Sequence, residues 1–126
     1  MNANLFKIAA VISFLIGILS VFAGSMVILG KSMDYYVIDW LPGYNLILGL
    51  ISAFFTAVII WQGNPIAMPA AIATFASHSM VMLILQTSYR DVVAVESIRA
   101  MAFRMMVWLS ILTLLIVQSL RSIPQS

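Results

Sequence analysis

Long apolar runs alternate with short polar connections along this chain, and charged residues mark where each run stops. No Asp, Glu, Lys or Arg lies between Lys7 and Lys31, between Asp39 and Arg90, or between Arg104 and Arg121. A helix needs about 20 apolar residues to cross the hydrocarbon of a bilayer. The first interval therefore holds one span. The second holds two, divided by the uncharged turn Gln62-Gly63-Asn64-Pro65, and the third holds a short one that borrows length from the segment before it. The pattern predicts an all-α integral membrane protein: an antiparallel four-helix bundle, one transmembrane domain over residues 1–126, with helices at about 5–29, 45–61, 65–86 and 92–120.

Small residues show which faces meet. In the first span Ser13, Gly17, Ser20 and Gly24 recur at steps of four, three and four, and in the second Gly49, Ala53 and Ala57 recur at steps of four beside Ser52 and Thr56. In lipid such faces let backbones approach closely, so these two helices are expected to pack together. The first span, with Lys7 ahead of it and Val21-Phe22-Ala23 near its end, has the look of a secretory signal, but its apolar run is longer than a signal core. It is read as a retained helix. Between the first two spans, Tyr35, Tyr36, Trp40 and Tyr44 suit the headgroup level, and Pro42-Gly43 reads as a turn ahead of the second helix. Asn64 is the expected N-cap of the third helix, Pro65 its first residue, and Pro69 falls inside its first turn or starts its regular part.

Composition agrees with a membrane protein and removes several function classes. Hydrophobic residues make up 63% of the chain, charged residues 8%, and the mean hydropathy is +1.12. The net charge of +2 rests on six basic residues spread singly, without the basic patch that nucleic acid requires. Zero Cys excludes disulfides, thiolate nucleophiles, iron–sulfur ligation and Cys-based zinc sites. The nine Met are scattered with no repeated Met-x-Met array, which favours packing and lipid contact over a soft-metal site, and no metal site is assigned. No Ser/His/acid grouping and no phosphate-binding Gly loop is found, so nothing supports an enzyme.

The candidate chemistry gathers in two places. His78, the one His, lies near the middle of the third span between Ser77 and Ser79, on a face with Ala67, Ala71, Thr74, Met82, Leu85 and Tyr89. An ionisable group at that depth points into the bundle. It reads either as a neutral imidazole hydrogen-bonded across helices to Ser or Thr, or as a proton relay, an axial haem ligand or a contact for a quinone-like headgroup. A bis-His haem would need a second chain. The second place is the stretch 87–104, which carries Arg90, Asp91, Glu96, Arg99 and Arg104. On a helix, Glu96, Arg99, Ala100, Phe103 and Arg104 share one side, and Ser110, Gln118 and Arg121 continue it, so this side is expected to face the bundle or a groove. Glu96 and Arg99 are spaced for an ion pair, and Arg104 is expected to snorkel at one interface. Asp34 and Asp39 read as solvated loop carboxylates or as partners of that cluster.

An even number of spans places both termini on one side and nearly all the charge on the other. Counting Arg99 and Arg104 as loop charges would make the charged side cytoplasmic, and leaving them out gives a tie. The expectation adopted is a bacterial cytoplasmic membrane with cytoplasmic termini, from the habit of even-span proteins. Two functions compete. One is an accessory or interaction subunit of a membrane complex, or a homo-oligomer. The other is a proton-coupled carrier or a binder of a lipophilic, quinone-like ligand through His78, Glu96, Arg99 and Arg104. The cofactor, if one exists, is unspecified.

In length, helix count, the Tyr44-Asn45 entry to the second helix and the run ESIRAMAFR (96–104), the chain resembles small four-helix membrane proteins of bacteria in the mould of DoxX-like proteins. The resemblance implies the fold and transfers no functional residue. The embedded Glu that small multidrug-resistance transporters keep in helix 1 is absent here, as is the Gly-Arg-rich helix of fluoride channels.

Overall fold

The computed structural model describes residues 4–30 and 35–121, so Lys31 and Asp34 lie outside the described residues. Four helices form an antiparallel all-α bundle: α1 (Asn4–Ile28), α2 (Leu41–Trp61), α3 (Ala67–Thr87) and α4 (Val95–Arg121). All four are long and apolar enough to cross a membrane, and large apolar side chains such as Leu15, Leu19, Phe22, Ile47, Leu83 and Met106 cover the outer surface. The chain is an integral membrane protein.

The glycines account for the α1–α2 contact. A methyl group on Gly17 would come within 2.5 Å of the Ala53 nitrogen, one on Gly24 within 2.5 Å of the Pro42 oxygen, and one on Gly49 within 2.7 Å of the Gly17 oxygen. These three positions admit hydrogen and nothing larger, as the small-residue spacing implied. Where the two backbones touch, α2 widens into a π-helical segment, Ile51–Thr56. There the Ala57 N–H reaches back five residues to the Ser52 carbonyl, which also accepts the Ser13 hydroxyl at 2.8 Å. A hydroxyl inserted beside the ladder is a recognised cause of such a widening.

Helix α2 starts four residues earlier than expected. Pro42 and Gly43 do not form a turn ahead of it; they lie in its first turn, where the N–H that Pro lacks would have no intrahelical partner. Helix α3 starts at Ala67 with Ile66 as N-cap. Asn64 caps less directly than expected, its Oδ1 accepting the Ile66 N–H at 2.9 Å, and Pro69 lies in the first turn.

Helix α4 divides the polar side expected to face the bundle or a groove: Arg104 and Gln118 are buried, and Arg99, Phe103 and Ser110 are not. Its buried residues are Ser97, Met101, Arg104, Trp108, Ile111, Leu112, Leu115 and Gln118. Apart from Leu112 these recur at steps of four and three, the spacing of helices that cross at a shallow left-handed angle. Arg99, Phe103 and Ser110 point outward, Phe103 with 56% of its surface exposed. The charged side was a poor guide because in lipid the outward face is apolar too, so polarity no longer separates inside from outside.

Both ends are marked by aromatics. At one end Trp40 Nε1 donates to Tyr89 Oη at 3.0 Å, joining the first and third connections. At the other, the Lys7 ammonium sits 5.2 Å from the Trp61 ring centre. The described charges Asp39, Arg90, Asp91, Glu96 and Arg99 belong to the first end, opposite Lys7 and Arg121.

Candidate functional site

Three buried polar groups, Ser20, His78 and Arg104, lie at one level between two apolar cores. One core contains Ala9, Ile16, Ile60, Ala71, Trp108 and Leu115, and the other Ile38, Leu41, Val81, Leu85 and Met101. Ser20 lies eight residues from the end of α1, His78 nine from the end of α3, and Arg104 nine from the start of α4. At 1.5 Å of rise per residue, all three Cα atoms sit about 12–14 Å below the same end of the bundle.

Arg104 is the only ionised side chain that the described residues bury, with 7% of its surface exposed. Its Nε donates to Ser20 Oγ of α1 at 3.1 Å. Among the described residues no carboxylate pairs with it. An Arg side chain on a helix leans toward the helix N-terminus, so the guanidinium is directed from its Cα toward the charged end.

In that direction lies a cavity of about 220 Å³ between α1, the start of α2 and the first two turns of α4. Its floor and inner wall are Arg104, Ser97, Leu41 and Pro42, while Tyr35 and Val37 close it from the connection. Phe22, Ala23, Ala100 and Glu96 form its outward edge and are exposed. Asn45 also lines it, and its Oδ1 is a buried acceptor without a hydrogen-bond partner among the described residues. A buried polar atom of this kind is ordinarily satisfied, so it marks where a donor belongs.

His78 lies beside this cavity without lining it. With 3% of its surface exposed, its Nδ1 is 2.8 Å from Tyr44 Oη, which is also 2.9 Å from Ser77 Oγ, and the two rings pack edge-on at 5.6 Å. The cross-helix hydrogen bond expected of a neutral His is present, but its partner is a Tyr rather than a Ser or Thr. Tyr44 is read from sequence as an interfacial ring; placed instead in the first turn of α2, it sends its hydroxyl down to α3.

The sequence-selected residues thus separate. Glu96 and Arg104 are brought to one cavity, Arg99 and Asp39 are exposed and outside it, His78 is adjacent, and Asp34 is not among the described residues. No ion pair joins Glu96 to Arg99. Sequence reasoning missed Asn45 and Ser20 as site residues. The signal for Ser20 was its place on the small-residue face, and the four-three spacing from Met101 through Arg104 to Trp108 could have separated Arg104 from the exposed Arg99. Among the described residues no group of three or more His, Cys, Asp and Glu is arranged to hold a metal ion.

No protein-family model, curated protein or solved structure matches this chain.

Proposed function

We propose that the protein binds an amphiphilic membrane molecule, holding its polar head in the Arg104 cavity while its apolar part lies along the exposed face of α1 at Phe22 and Ala23. The observation that supports this is Arg104: a buried guanidinium inside a membrane span, without a carboxylate partner among the described residues, at the floor of a cavity whose outward edge is apolar on its α1 side. Such a charge is costly in a bilayer and ordinarily marks a site. The protein resides in a bacterial cytoplasmic membrane, with its termini in the cytoplasm and the cavity at the opposite interface. His78 serves the site by fixing Tyr44, and through it the start of α2.

The reading as an accessory subunit or a homo-oligomer draws on a different feature, an apolar cleft between α1 and α2 floored by Ala10, Ala53 and Ala57 and flanked by Phe14, Phe54 and Trp61. One experiment separates the two. Ala100 is exposed at the mouth of the Arg104 cavity, and Ala100→Trp fills that mouth without altering Arg104. The expected result is that the unaltered protein retains an amphiphile in mild detergent and the Ala100→Trp variant does not, with thermal unfolding and oligomeric state unchanged. An unchanged set of bound molecules would contradict the amphiphile reading, and loss of a protein partner instead would favour the accessory subunit.

A further inference from the structure

We infer that the head this cavity accepts is zwitterionic: the phosphoethanolamine group of a phospholipid, with its phosphate on Arg104 and its primary ammonium on Glu96 and Asn45. This rests on the amphiphile-binding reading and specifies its ligand.

The inference comes from the balance of donors and acceptors. Arg104 supplies N–H donors only and the Glu96 carboxylate oxygens accept, while Asn45 presents a buried acceptor with no partner among the described residues. A plain anion satisfies Arg104, but it leaves Asn45 Oδ1 without a donor and adds negative charge beside Glu96. A quinone, with two carbonyl acceptors, has the same defect. A neutral polyol supplies donors but no charge to compensate the guanidinium. A head carrying a phosphate and a primary ammonium satisfies all three groups. The ammonium matters by type, because its three N–H donors serve two acceptors, whereas a quaternary head has none.

The vertical order fits as well. Glu96 lies eight residues before Arg104 on α4, about 12 Å nearer the charged end; both side chains lean toward that end, and the longer Arg104 closes part of the separation. In such a lipid the chains come first, then the phosphate, and the ammonium is outermost. The cavity presents the last two steps of that order, Arg104 deeper and Glu96 exposed nearer the charged end, and opens sideways to lipid at Phe22 and Ala23. Phosphate recognition by a guanidinium is charge-assisted and strong, so Arg104 sets the affinity. Glu96 is exposed and sets the choice among heads by a smaller factor.

The test is competition among lipids of one chain length added to the delipidated full-length protein in detergent, read by native mass spectrometry as the fraction of protein holding each lipid. The expected result is a preference of about 1.5- to fivefold for phosphatidylethanolamine over phosphatidylcholine and phosphatidylglycerol, which is the range of an exposed ion pair. Glu96→Gln should reduce the preference to near unity while phosphatidylglycerol is held as before or better. Glu96 is a surface residue, so this variant is not expected to disturb folding, and the comparison on the unaltered protein needs no variant at all. Equal retention of the three heads, or retention of a quinol in their place, would overturn the zwitterion while leaving amphiphile binding standing. Retention of no amphiphile by the unaltered protein would overturn both. Glycerophosphoethanolamine, the head without chains, should not displace the lipid, and displacement at equal concentration would overturn the assignment to a phospholipid.

Discussion

At the level of single residues, the interior is held by a few cross-helix hydrogen bonds, two of which meet at Tyr44. Hydrogen bonds between membrane helices contribute about 0.6 kcal/mol on average and about 1.7 at most. A double-mutant cycle of Tyr44→Phe and His78→Leu, measured by unfolding in mixed micelles, should give a coupling in that range; zero coupling would show that the pair is a passive contact. Thr56 gives a prediction of the opposite sign. Its hydroxyl is buried with no partner among the described residues, so Thr56→Val, nearly the same shape, should leave stability unchanged or raise it by up to about 1 kcal/mol. A clear loss would mean that the hydroxyl has a partner in the membrane.

Among the helices, the α1–α2 pair fixes the architecture because its backbones touch. Gly17→Val drives a side chain into the Ala53 backbone and should cost about 1–3 kcal/mol or break the pair, read as a lower unfolding midpoint in detergent. Gly43 is the control: nothing lies within 4 Å of a methyl group placed there, so Gly43→Ala should be neutral or slightly stabilising. A large loss at Gly43 with none at Gly17 would refute this packing. This pair was legible in the sequence because glycine spacing reports backbone contact directly. The inward face of α4 was less so, since with lipid outside both faces are apolar and the charges drew attention to Glu96 and Arg99 instead of the Met101–Arg104–Trp108 spacing. The π-helical segment leaves no sequence mark, because it follows from the Ser13 hydroxyl meeting a carbonyl on another helix. Reading Pro42-Gly43 as a turn removed Tyr44 from α2, and with it the partner of His78.

Across the whole molecule, the four antiparallel spans put Asp39 and Arg90 at one membrane face and Lys7 and Arg121 at the other. The chain has no Cys, so single-cysteine variants carry no background. With the proposed cytoplasmic termini, Asp39→Cys and Arg90→Cys should react with an impermeant thiol reagent from outside the cell, and Lys7→Cys only after the membrane is opened. Labelling of Asp39→Cys and Lys7→Cys from the same side would break the topology on which the cavity depends. Within that topology two arginines only five residues apart have different roles, Arg104 enclosed at the cavity floor and Arg99 exposed outside it. The most direct measurement is therefore the native mass spectrum of the protein with Arg104→Gln beside that with Arg99→Gln. Binding in the cavity requires that Arg104→Gln lose the co-purified amphiphile while Arg99→Gln keeps it; equal retention by the two, or loss with Arg99→Gln alone, would contradict the account.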